Sequence, residues 1–220
     1  MAALFLLLIV GLGVAGLFLG LNILKNYKPG RKRIQADLKE IKAELQPLVS
    51  ELVPWNKEEL EQLSLNVINK TKKKGVVYNA KGVFTSIYHE PLIAWYYRKY
   101  VSSKEDSLLY VRTSNHEFVY RIKGDEAEVL IDDQFIGKID KDGKLYDYKK
   151  KNLLAQINKG TEQLALPVVV KEKPVGALAN LEKAPKKVNQ RAMELVADMQ
   201  PEEENLFLAL SLLELVKVHK

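Results

Sequence analysis

The chain has 220 residues, 47% of them hydrophobic and 28% charged, with a formal net charge of +6 and no cysteine. That composition suits a globular protein, and the missing cysteines exclude disulfides, thiol catalysis and cysteine-held zinc or iron–sulfur centres. Five of the six net positive charges fall in residues 25–33, which hold Lys25, Lys28, Arg31, Lys32 and Arg33 and no acid. Nucleic-acid binders spread basic residues over a folded face, so no nucleic-acid partner is expected.

Ala2 to Leu24 is 23 residues without a charge. As a helix it would reach about 34 Å, against about 30 Å for a bilayer core. The expectation is a transmembrane anchor over 1–24. Met1-Ala2-Ala3-Leu4 lacks a positive n-region, and Leu21-Asn22-Ile23-Leu24 is too bulky for a cleavage site, so the anchor is read as uncleaved. All flanking cations follow the span. The positive-inside rule then puts the N-terminus outside and the C-terminal part in the cytoplasm, as in a single-pass protein of the plasma or inner membrane.

Lys25, Lys28, Arg31, Lys32 and Arg33 make a juxtamembrane collar over 25–33, a topology signal that can also touch anionic phospholipid headgroups. Gly16 and Gly20 form a Gly-x-x-x-Gly step that would let two helices approach as a homodimer.

Pro29-Gly30 breaks the first helix. Ile34, Leu38, Ile41, Leu45, Leu48 and Leu52 then recur at helical spacing, interrupted at Pro47. This predicts a helical stalk within 34–74 that packs on its own domain. Asn56 and Glu59 read as a capping box opening a second helix through Leu60, Leu63 and Val67. Lys70, Lys72, Lys73 and Lys74 close it, as cations suit a helix C-terminus.

From Gly75 the period shortens. Strands are expected near Gly75–Tyr78, Val83–Tyr88, Leu92–Tyr100, Leu108–Thr113, Glu117–Ile122, Glu128–Asp132, Gln134–Ile139, Lys144–Tyr146, Leu153–Ile157, Leu166–Val170 and Pro174–Leu178. Asp132-Asp133 and Asp142-Gly143 read as hairpin turns. Asn189 to Met199 reads as an amphipathic helix. Pro201 and Glu202–Glu204 open another, whose body Leu206–Val216 is apolar all round. Eleven residues are too few to span a bilayer, so strands must enclose it. The fold class is α+β and membrane-anchored. A transmembrane helix and a short stalk lead into an antiparallel β-barrel or sandwich over 75–220, which encloses the hydrophobic C-terminal helix.

No catalytic motif stands out. His89-Glu90 and His116-Glu117 do not extend to His-Glu-x-x-His. Asp140-Lys141-Asp142-Gly143 lacks the third acid and the bidentate Glu of a calcium loop. There is no Gly-x-Ser-x-Gly elbow, Walker loop or dinucleotide fingerprint after a strand. No catalytic residue, metal or cofactor is expected. Trp95, Tyr96, Tyr97 and Tyr100, beside Arg98 and Lys99, read either as an interfacial surface or as alternating strand residues; the spacing favours the second.

Val129-Leu130-Ile131-Asp132-Asp133-Gln134-Phe135-Ile136-Gly137-Lys138-Ile139 is a strand, tight turn and strand carrying Ile-Gly-x-Ile. Val168 to Leu178 repeats it with Val-Gly-x-Leu. With many short strands around an apolar C-terminal helix, residues 75–220 resemble the tubby-like and phospholipid-scramblase-like superfamily. That resemblance implies membrane association, and in tubby-like domains phosphoinositide binding through basic residues of the barrel. No phosphoinositide motif matches here residue by residue. The anchor at the opposite end and the absence of cysteine depart from scramblases, so scramblase activity is not carried over. The expected function is a non-catalytic, membrane-anchored module whose cytoplasmic β-domain binds lipid headgroups or a protein partner. An adaptor recruiting a partner through the stalk at 34–66, or an enzyme with an unrecognised site, are the alternatives.

Overall fold

In the computed structural model, alternating apolar side chains and tight turns set twelve antiparallel strands of the described residues side by side in chain order. It describes residues 2–102, 104–149, 151–159, 164–181, 183 and 189–220, without the side chains of 2–9, 57 and 58. The strands are β1 (Leu63–Lys74), β2 (Tyr78–Ser86), β3 (Pro91–Lys99), β4 (Asp106–Arg112), β5 (Glu117–Lys123) and β6 (Glu126–Ile131). They continue as β7 (Gln134–Ile139), β8 (Lys144–Tyr146), β9 (Leu153–Ile157), β10 (Ala165–Val170), β11 (Lys173–Ala179) and β12 (Met193–Leu195). The sheet curls until its ends meet. The Ala192 amide donates to the Leu63 carbonyl at 2.7 Å and the Leu65 amide to the Gln190 carbonyl at 2.9 Å. The result is a nearly closed barrel.

Among the described residues three α-helices complete the fold: α1 (Ala2–Asn26), α2 (Arg31–Val49) and α3 (Pro201–His219). Helix α3 starts on a capping box between Gln200 and Glu203, with Pro201 in its first turn and three glutamates at the favourable dipole end. Every residue from Leu206 to Leu213 is buried, as are Leu215 and Val216. They share one apolar core with the barrel interior, including Trp95, Tyr97, Phe118 and Tyr120. The buried Tyr120 hydroxyl donates to the Ala209 carbonyl at 2.8 Å, which satisfies the phenol inside the barrel.

Helix α2 lies outside. Its stripe of Ile41 and Leu45 packs on Val83 of β2, Ala94 and Tyr96 of β3, Tyr100 just after β3, and Leu108 and Tyr110 of β4. The stalk's apolar face is therefore covered by its own barrel.

The expected fold class needs correction at its N-terminus. Among the described residues, no helix is long and apolar enough to cross a membrane. Near the end of α1, Asn26 is buried and its amide bonds the Asn22 carbonyl at 2.8 Å. The single-pass location and the assignment of sides rested on that span and fall with it.

Two further expectations are corrected. The helix expected after Asn56 stops after two 3-10 turns, Lys57–Gln62, although the Asn56–Glu59 capping box is present. Leu63, Leu65 and Val67 fit a period of two as well as a helix. The barrel takes them into β1, which pairs with β2 over its whole length. Likewise Asn189–Met199 is no helix. Met193, Glu194 and Leu195 supply β12, pairing with Leu178, Ala177 and Gly176.

Candidate functional site

The meander sorts connections between the two ends of the barrel, and charge sorts with them. One end surrounds the C-terminus of α3 and carries the β1–β2, β3–β4 and β5–β6 connections. There Lys72 stands opposite Ala80 and Lys74 opposite Tyr78. Cross-strand partners share a face; Ala80 and Tyr78 pack in the barrel core, so Lys72 and Lys74 flank the mouth above α3. Lys73, opposite Asn79, faces the α2 side instead. All of Ile68–Lys74 is exposed, so this part of β1 rises past the core.

Cations suit this place because α3 ends here with unsatisfied carbonyls. The Lys72 ammonium donates to the main-chain oxygen of Lys220 at 3.0 Å. The Lys220 ammonium reaches Glu105 at 2.7 Å and lies 4.6 Å from the Tyr97 ring centroid. Glu214 is held by Lys159 and Lys217, each at 2.7 Å. The acids nearest α3 are thus answered. Lys70, Lys74, Lys99, Lys104 and Lys123 are exposed, and no carboxylate among the described residues lies within ion-pair distance of them.

The collar joins this end. Tyr27 bridges to Val101, and the Val101 amide donates to the Asn26 carbonyl at 3.2 Å. Lys25, Lys28, Arg31 and Lys32 are exposed there. Arg33 is engaged, its Nε 3.1 Å from Asp37. A groove of about 910 Å³ opens between the α1–α2 link and the β3–β4 and β5–β6 connections, lined by Lys28, Lys104, Arg121, Lys123 and Asp125 among others. On its wall Arg121 and Asp106, both largely buried, pair with each other. Gly16 and Gly20 lie on exposed faces of α1, and nothing stands within 4 Å of where a Cβ would sit.

The opposite end holds the N-terminus of α3 and the β6–β7 and β10–β11 turns. Asp133, Glu172 and Glu202 are exposed there, with Lys171 3.1 Å from Glu202. His116 Nδ1 meets Asp132 at 2.6 Å across the hairpin. Among the described residues no cluster of three or more His, Asp or Glu could hold a metal ion. The aromatic run is interior rather than interfacial. Trp95 and Tyr97 point into the barrel, Tyr96 and Tyr100 under α2.

His219 sits beneath the lysine row, its ring edge-on to Phe84 at 5.3 Å. Burial, then Lys70 and Lys72, push its pKa down to about 4. The charged form is thus disfavoured in the folded chain relative to an unfolded value near 6.5. Stability from this group is present above about pH 6.5 and is lost as pH falls toward 4. The ring is partly exposed, so about 1 kcal/mol is expected after solvent screening. His219→Gln should flatten denaturant-derived stability across that window; an unchanged slope would refute the assignment.

Sequence reasoning missed the β1 lysines as a surface because it placed them at a helix end. The usable signal was the β-branched pair Val67-Ile68 before them and the alternation Lys70-Thr71-Lys72. Compared with known proteins, the chain matches no family model, no curated protein and no solved structure. Nothing in these comparisons bears on the resemblance to tubby-like or scramblase-like proteins.

Proposed function

We propose that this chain is a non-catalytic binding module whose cationic barrel end takes an acidic segment of a protein partner. The observation that supports the reading is the set of exposed lysines at 70, 74, 99, 104 and 123, left without carboxylates on a rim where the acids nearest α3 are paired. Alternate residues of a strand lie about 6.7 Å apart on one face. An extended acidic segment presents carboxylates at the same repeat. Such contacts act mainly through charge, so they should weaken steeply with salt.

A fluorescent glutamate-rich peptide titrated into the full chain tests this. Lys74→Gln with Lys99→Gln and Lys123→Gln should weaken binding at least tenfold at low salt. Unchanged affinity in that variant would sink the proposal. Binding to phosphatidylserine vesicles without any affinity for the peptide would replace the protein partner with a headgroup.

A further inference from the structure

We infer that the acidic partner is a second copy of this chain, docked head to tail with its α3 N-terminal end on the lysine-bearing end of its neighbour. This rests on the reading of the cationic end given above and names its partner. Helix α3 runs from one end of the barrel to the other. Its 19 residues separate the two ends by about 28 Å, about three and a half Debye lengths at physiological salt. The two fields therefore do not cancel across the molecule.

The charges also exceed what the helix needs. A helix terminus carries about half a unit charge. With ion pairs set aside at both ends, Glu202 and Glu203 answer Lys171 and Lys173 and leave Asp133 and Glu172 exposed at one end, while the other keeps Lys70, Lys74, Lys99, Lys104 and Lys123 against the exposed Asp125. A two-fold contact would bring like ends together, lysine on lysine or glutamate on glutamate. Only a heterologous contact matches opposite charge, and such a contact repeats into rings or open chains.

Two charge-reversed forms of the full chain test the inference, Lys74→Glu with Lys99→Glu, and Glu172→Lys with Glu202→Lys. Light-scattering mass is measured at low salt and at 0.5 M salt. The parent chain should at least double its mass at low salt and return to monomer at high salt. Each variant alone should stay monomeric, and an equimolar mixture should associate again. Association through the exposed apolar residues of α1 would strengthen with salt instead and would be equal in both variants. A parent chain monomeric at low salt, association that does not fall with salt, or a mixture that stays monomeric would overturn it. If the parent chain still binds the acidic peptide in those cases, only the second copy is excluded; if peptide binding is also absent, the reading beneath it fails as well.

Discussion

Gly137→Ala is expected to cost about 3 kcal/mol or more and to lower the melting temperature by roughly 10 °C. A Cβ at Gly137 would stand 1.9 Å from the Tyr146 carbonyl oxygen and 3.0 Å from its carbon. Those are backbone atoms of β8, so no rotamer change relieves the clash; a strand must move. Gly176 is the counterpart, with the Glu194 carbonyl oxygen of β12 2.4 Å from its would-be Cβ. Neither glycine has a left-handed φ, so what each supplies is space rather than backbone freedom.

The surroundings of the two glycines match. Val129 opposes Gly137 and Val168 opposes Gly176, with a register shift one residue on in each hairpin. Both hairpins turn on two left-handed residues, Asp132-Asp133 and Lys171-Glu172, with φ of 48°, 64°, 46° and 66°. That is the geometry of a two-residue turn whose twist suits the flanking strands. Gly176→Ala should therefore behave like Gly137→Ala, and Gly75→Ala, whose Cβ meets only a contact at 3.7 Å, should be nearly neutral. Thermal unfolding by circular dichroism decides. A loss under 2 °C for both barrel glycines would refute the close-approach argument.

These hairpins were readable from sequence because their determinants are local. An acidic or charged dipeptide between Val/Ile runs, followed by a glycine, specifies turn and register within eleven residues. The enclosed helix was readable for a different reason: Leu206–Val216 has no polar face, so solvent cannot be its environment. Strands β1 and β12 were not readable, since their apolar residues satisfy helical and extended periods about equally. What selects the strand is the open edge of β2 or β11, a pairing partner that the segment's own periodicity does not report. The N-terminal run failed in another way. The span was read from the absence of charge over 2–24 alone, and among the described residues no helix is long and apolar enough to cross a membrane. The lysine row was hidden by the same error that misplaced β1, because a cation run at a helix end needs no further explanation and one on an emergent strand does.

Arg98→Met is expected to destabilise the chain by about 3–5 kcal/mol, more than its own bonds are worth. Asp37 on α2 is 1% exposed, and Arg98 on β3 is 4% exposed. Their closest atoms are 3.1 Å apart. The guanidinium also donates to Glu40 at 2.9 Å and to Asn79 at 2.8 Å. Removing it leaves the Asp37 carboxylate buried with the Tyr100 hydroxyl at 2.7 Å and the half-exposed Arg33. A buried carboxylate left with only the half-exposed Arg33 as counter-charge, rather than the lost attraction, sets the cost. The double variant Arg98→Met with Asp37→Leu should recover most of the loss, because it removes both charges and keeps the volume. Glu40 adds a pH signature. Its hydrogen bond to Arg98 holds its carboxyl below the usual range, so its contribution is present above about pH 4.5 and disappears as pH falls through the lowered value. Arg98→Met should lose that acid-side dependence along with the stability. Urea unfolding of the four forms, read as a double-mutant cycle at two pH values, separates the outcomes. Equal costs for Arg98→Met and the double variant would mean that α2 is held by its apolar stripe alone. A recovered double would mean that the ion pair fixes where α2 sits, and with it the position of the lysines and Tyr27–Pro29 at the barrel end.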